Sequence, residues 1–153
     1  MEMNHHRLKT LFVKRTLLNA DDIRQWARSQ GFKSTLSVGD MHATIAFSKE
    51  PFDWSDLQPI SKNLTIMGGK RTIEMFDDAM VLCFSTDMLH ERWQEFRDDG
   101  ASYDFNEYRP HVTISYVELP EDVDPYEGDL KFGPEKFSEI NDNWDDNLRE
   151  DDL

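Results

Sequence analysis

Two tetrapeptides, His-Ala-Thr-Ile at 42–45 and His-Val-Thr-Ile at 111–114, close two stretches of this chain that run in the same order. The first stretch opens with "LKTLFVKR" from Leu8, which reads as a strand. Asn19 then stands where a helix would be capped, with Asp21 and Asp22 in its first turn, Ile23, Trp26 and Ala27 as its buried stripe and Gly31 as its stop. The second opens with "AMVLCFS" from Ala79, a buried strand. Ser85 or Thr86 caps the helix that follows, Leu89, Trp93 and Phe96 line one side of it, and Gly100 ends it. Leu8 lies 34 positions before His42, and Ala79 lies 32 before His111. The order strand, helix, loop, histidine-led strand therefore occurs twice, which implies a duplicated fold of two similar halves. Between them Pro51, Pro59 and Gly68-Gly69 punctuate the chain, and "NLTIM" and "KRTIEMF" read as short strands joined by a tight Gly-Gly turn.

Side chains alternate across a strand, so His42 and Thr44 face one way while Ala43, Ile45 and Phe47 face the other. By the same rule His111, Thr113 and Ser115 share a face, opposite Val112, Ile114 and Tyr116. One histidine in a strand is ordinarily a hydrogen-bonded structural residue. Two, each followed by Thr and Ile in matching places, are not explained that way. If an approximate two-fold relates the halves, the two strands lie side by side and each offers an imidazole and a hydroxyl to one concave site.

At 153 residues, with 38% apolar side chains, the chain is long enough for one domain with a real core, and 1–153 is read as one unit. No apolar run reaches membrane-spanning length, no leader is evident, and the single cysteine, Cys83, cannot form an internal disulfide, so a reducing cytoplasm is the expected setting. The charge is lopsided, with 31 acidic against 17 basic residues and a net −14. Long nucleic acid is a poor partner for such a surface. Residues 134–153 hold eight acidic and two basic residues, leaving 23 acidic against 15 basic before them. A small phosphate ligand stays compatible, because it needs only a local cluster of donors.

The tetrapeptides "HATI" and "HVTI" resemble the paired signatures of the two-histidine phosphoesterase superfamily. The duplicated order of elements extends the resemblance over most of the chain, although only the tetrapeptides are specific. Its length, acidic tail and "YRPHVTISY" segment make the chain most similar to the phage anti-CBASS nucleases, which destroy cyclic oligonucleotide alarm signals of bacterial immunity. The resemblance implies an α+β fold with two antiparallel sheets flanking a central cleft, helices outside and a pseudo-two-fold. It also implies hydrolysis of 3',5'-phosphodiester bonds in cyclic di- and trinucleotides such as 3',3'-cGAMP, in the cytoplasm of an infected host.

Histidine titrates near neutrality, so one imidazole can take a proton while the other gives one. His42 and His111 are the expected acid–base pair, with Thr44 and Thr113 donating to the non-bridging phosphate oxygens. No metal or cofactor is expected. The rival metal reading would use Asp40 beside the histidines, but no His-x-x-x-His or carboxylate cluster completes a ligand set. Arg109 is either a phosphate contact or a loop arginine. Phe12 and Tyr108 are either stacking platforms for bases or core residues. Trp144 and Glu139 would belong to a lid formed by the acidic segment, stacking on a base and reading its amino edge; disorder is the alternative. Trp26 and Trp93 read as core, and His5, His6 and His90 as solvated. Two other functions remain in view: a nucleotide sponge without turnover, and a phosphodiesterase for RNA 2',3'-cyclic ends. The oligomeric state is not legible.

Overall fold

The structure, a computed structural model, describes residues 8–140. His5, His6 and Trp144 lie outside the described residues. The elements are β1 (Leu8–Leu17), α1 (Ala20–Ser29), β2 (His42–Asp53), β3 (Leu64–Ile66), β4 (Thr72–Phe76), β5 (Ala79–Cys83), α2 (Asp87–Asp98), β6 (His111–Ser115) and β7 (Leu130–Ser138). They form two antiparallel sheets, ordered β2-β1-β7-β3 and β4-β5-β6. Among the described residues no helix is long and apolar enough to cross a membrane.

The duplication is present in the backbone. In the first half β1 pairs with β2, and the Leu17 amide donates to the Met41 carbonyl just ahead of His42. In the second β5 pairs with β6, and the Phe84 amide donates to the Pro110 carbonyl just ahead of His111. Both helices end in the same left-handed motif. Gly31 (φ 97°) lets Phe32 N–H reach the Ala27 carbonyl, and Gly100 (φ 117°) lets Ala101 N–H reach that of Phe96.

The helix starts differ from the sequence reading. Asn19 and Thr86 occupy the N-cap positions, yet neither side chain caps its helix. The Asn19 amide instead donates to the Asp129 carbonyl and accepts from Lys131 N–H, fastening α1 to the start of β7. Trp26 and Trp93 are half-buried and pack against the core rather than inside it.

Three strand assignments also change. The segments around Gly68-Gly69 are not a hairpin: β3 joins β7 in one sheet, and β4 joins β5 in the other. Gly68 is required because a Cβ there would lie 2.6 Å from the Glu127 carbonyl oxygen, and Arg71 braces this crossing through the carbonyls of Met67, Tyr126 and Gly128. β2 runs on through Pro51, which is tolerated because β2 is an edge strand and its ladder with β1 is irregular there. Finally, residues 134–138 of the acidic segment belong to β7, an interior strand between β1 and β3. Gly133 and Pro134 disguise it in the sequence, and they fall where its register with β1 shifts.

The inner faces of both sheets share one core. Leu11, Val13, Ala43 and Ile45 of one meet Met80, Leu82, Val112 and Ile114 of the other, with Ile23, Ala27, Leu89 and Phe96 packed on from the helices. Within it lies an ion pair: Arg92 of α2 grips the buried Glu135 of β7 with Nε at 3.0 Å and Nη2 at 2.9 Å. Nearby, Arg15 Nη1 donates to the Gly133 and Lys62 carbonyls.

Candidate functional site

The histidine strands do not alternate without interruption. Val13 faces Ala46 and Lys14 faces Thr44, so Ile45 is an extra residue in the β1–β2 ladder. Likewise Met80 faces Ser115 and Val81 faces Thr113, so Ile114 is extra in the β5–β6 ladder. Each half thus carries a β-bulge at the isoleucine of its tetrapeptide. Beyond a bulge the side chains change face. Phe47, expected beside Ala43 and Ile45, packs instead with Phe12 on the face of His42 and Thr44. Tyr116, expected opposite His111, packs with Val81, Cys83 and Phe76 on the face of His111 and Thr113. Ser115 correspondingly turns inward opposite Met80, a core residue, and does not join His111 and Thr113.

The result is a matched arrangement around each imidazole. His42 meets the Phe12 ring edge-on at 6.1 Å, and His111 meets Phe76 edge-on at 4.8 Å. His42 Nδ1 lies 2.8 Å from the Asp40 carbonyl oxygen, and His111 Nδ1 lies 2.9 Å from that of Arg109. A carbonyl only accepts, so each Nδ1 must carry its hydrogen. That leaves Nε2 as an acceptor in neutral imidazole or a donor in imidazolium. The loop residue two places upstream therefore fixes tautomer and ring orientation in both halves. Burial differs between them: His42 is half-buried, whereas His111 is only 5% exposed. The Phe76 ring packed against His111 accounts for the difference.

β2 and β6 are the facing edges of their sheets and contact each other. Two hydrogen bonds clasp them where the bulges disturb the ladders. The Tyr108 hydroxyl donates to the Thr44 carbonyl at 2.7 Å, and the Leu36 amide donates to the Ile114 carbonyl at 2.8 Å. In each case the loop leading into one histidine strand reaches the bulge of the other.

The remaining candidates are placed as follows. Phe12 is buried, not in the main core but against His42 and Phe47. Tyr108, offered as a stacking platform, is a brace: Trp93 stacks on its ring at 8° and its hydroxyl holds Thr44. Burial raises its phenol pKa well above the ordinary value, so it remains a donor. Arg109 lies over the Phe76 ring and is ion-paired with Glu74, which holds its pKa up; the same bond draws the Glu74 carboxyl down. Glu139 is exposed and 4.0 Å from Lys9 Nζ. His90 is exposed as expected, but its ring meets Tyr108 edge-on at 5.2 Å.

A cavity of about 350 Å³ opens beyond Arg109, lined by Lys70, Thr72, Glu74, Cys83 and His90 and by neither motif histidine. Cys83 is no nucleophile, since burial and then the Glu74 charge push its thiol from 9.0 to about 12. Among the described residues no three His, Cys, Asp or Glu side chains gather as a metal site. Sequence reasoning missed Lys14, which lies opposite Thr44, and Lys136, which lies opposite Lys14. The alternation of β1 places Lys14 on the face of Phe12, but β7 had to be recognised before Lys136 could be found.

The fold is shared with solved structures. A phosphoesterase crystal structure superposes with a TM-score of 0.61 at 12% identity, covering 86% of this chain and 88% of that one. Escherichia coli LigT complexed with 3'-AMP superposes with a TM-score of 0.54 at 12% identity, covering 88% and 96%. A family model described as Anti-CBASS protein Acb1 matches residues 9–147. The anti-CBASS protein Acb1 of Sphingomonas paeninsulae is 44% identical over 149 residues, 89% of this chain and 24% of that protein. That of Caulobacter sp. (strain RHG1) is 41% identical over 158 residues, 96% and 25%, and that of Escherichia phage RB16 is 28% identical over 105 residues, 69% and 61%. The chain spans about a quarter of the length of the two bacterial relatives.

Proposed function

The chain belongs to the anti-CBASS Acb1 family, and from that premise we propose that it hydrolyses 3',5'-phosphodiester bonds of cyclic di- and trinucleotide messengers such as 3',3'-cGAMP. Its role would be to clear a host alarm signal during phage infection. The observation that carries this reading is the matched pair of imidazoles, each with Nδ1 bound to a carbonyl two residues upstream, on strands whose edges adjoin.

In the proposed reaction one neutral imidazole takes the proton of the ribose 2'-hydroxyl through Nε2. The 2'-oxygen bonds to phosphorus, and the 5'-oxygen leaves with a proton from the other imidazolium. Thr44 and Thr113 donate to the non-bridging oxygens as their charge grows. The 2',3'-cyclic phosphate formed is opened by water with the two roles exchanged, giving a 3'-phosphate. The scheme calls on no metal, and the paired geometry suits either histidine to either role.

Incubation with 3',3'-cGAMP in EDTA, followed by chromatography, tests the proposal. Linear products are expected. Tight binding with intact ligand would instead make the chain a sponge, and preference for an RNA 2',3'-cyclic end in a parallel assay would change the substrate. Glu139 and Trp144 are proposed to act from the C-terminal segment as a lid, a role that single Ala variants would reveal as a rise in KM.

A further inference from the structure

The face of the four-stranded sheet that carries His42 and Thr44 also carries two lysines. The register sets Lys14 directly across from Thr44 on one side and from Lys136 on the other, and sets Thr16 across from His42. The side chains follow the register. Lys14 Nζ lies 5.7 Å from the centre of the Phe12 ring, which itself meets His42, and Lys136 Nζ lies 3.4 Å from Thr16 Oγ1.

Like charges directly opposite on one sheet face repel, at a cost of about 0.2–1 kcal/mol. This chain has acidic residues in excess, and elsewhere on the same sheet it uses them: Lys9 lies beside Glu139, and Lys49 pairs with Asp104 at 2.9 Å. Among the described residues neither Lys14 nor Lys136 has a carboxylate within ion-pair distance. Two ammonium groups kept together beside a histidine site, with no carboxylate partner among the described residues, mark a place for an anion from outside.

We propose that Lys14 and Lys136 form a subsite for a second phosphate, the phosphodiester of the same ligand that is not being cut. The inference rests on the phosphodiesterase reading and narrows its substrate class to ligands bearing at least two phosphates. The phosphate under attack belongs to the Thr44 and Thr113 hydroxyls between β2 and β6. The lysines stand one and two strands further out, on β1 and β7, roughly 5 and 10 Å from β2 at the ordinary strand spacing. A cyclic dinucleotide holds its second phosphate at a fixed offset from the first, and ammonium groups suit it as compact point charges. A nucleoside 2',3'-cyclic phosphate has nothing to place there.

The test uses Lys14→Gln, Lys136→Gln and the double variant, with 3',3'-cGAMP and adenosine 2',3'-cyclic phosphate as substrates at low and high salt. Each single change is expected to raise KM for the cyclic dinucleotide about tenfold and the double change more, with a shallower salt dependence. For the one-phosphate substrate kcat/KM should move less than threefold. The melting temperature should stay level or rise, because a repulsion has been removed. Equal losses on both substrates, or no loss on either, overturn the subsite. If the wild type turns over neither substrate, the phosphodiesterase reading fails by itself. Calorimetric binding of 3',3'-cGAMP then decides the subsite: weaker binding by the double variant supports it, unchanged binding sinks it, and no binding by the wild type removes both ideas.

Discussion

The phenol of Tyr108 donates its hydrogen to the main-chain carbonyl of Thr44 at 2.7 Å, joining the loop before one histidine strand to the bulge of the other. Trp93 and His90 hold the ring, so Tyr108→Phe should keep the packing and delete the bond alone. The buried carbonyl left without its donor should cost about 1–3 kcal/mol. In a chain of this size that is a fall of roughly 2–10 °C in melting temperature. Tyr126→Phe, which also removes a phenol-to-carbonyl bond but away from the motifs, is the control. Only Tyr108→Phe should lower kcat as well as stability, and thermal melts beside initial rates read both.

Replacing His42 or His111 singly by Ala should reduce turnover of 3',3'-cGAMP by about 10²–10⁴ or more, the range of a lost acid–base group. The wild-type rate should trace a bell against pH, and each variant should lose one limb. Melting temperature should fall more for His111→Ala, since His111 is buried against Phe76 and His42 is half-exposed. Equal residual activity in both variants at wild-type level would remove the acid–base scheme.

Cys83 should resist alkylation in the native state. Its thiol, held at about 12 by burial and by Glu74, is almost wholly protonated at pH 8, and only the thiolate reacts. Unfolding returns it to the ordinary 9.0. The native state therefore loses stability as pH rises from about 9 towards 12, and gains nothing from this group below 9. Iodoacetamide labelling with and without denaturant, followed by mass spectrometry, checks the first statement. Denaturant midpoints at pH 8 and pH 10 for the wild type and Cys83→Ala check the second.

Glu135→Ala should be among the most damaging single changes to stability. It leaves Arg92 without its two-bond partner inside the fold and removes the carboxylate that accepts the Ile60 amide. Breaking a buried pair on one side costs about 3–5 kcal/mol, equivalent to a fall of about 10 °C or more here. Calorimetry would measure it.

What could be read from the residues was whatever follows a fixed period. The helix stripes of Ile23 and Ala27, and of Leu89 and Phe96, are buried, and Gly31 and Gly100 end their helices as expected. The strands holding His42 and His111 lie where alternation put them. What escaped were departures from period and contacts across long separations. An extra residue at Ile45 or Ile114 leaves no mark in composition, so strict alternation puts Phe47, Ser115 and Tyr116 on the wrong faces. The Gly-Gly pair suggested a hairpin because its real demand, close approach to the Glu127 backbone, lies far along the chain. The sequence draws attention to the ring of Tyr108, whereas its position depends on its hydroxyl.

The paired bulges set where this family fold can change length. Dropping Ile45 or Ile114 would remove only the extra residue and leave Phe47, Ser115 and Tyr116 on their present faces, whereas a one-residue change elsewhere in these strands would turn the rest of the strand over. Insertions and deletions should accordingly be barred from both strands except at the two bulges. Loops at 54–63 and 117–129 lie outside both, so variation in chain length among homologues should collect there.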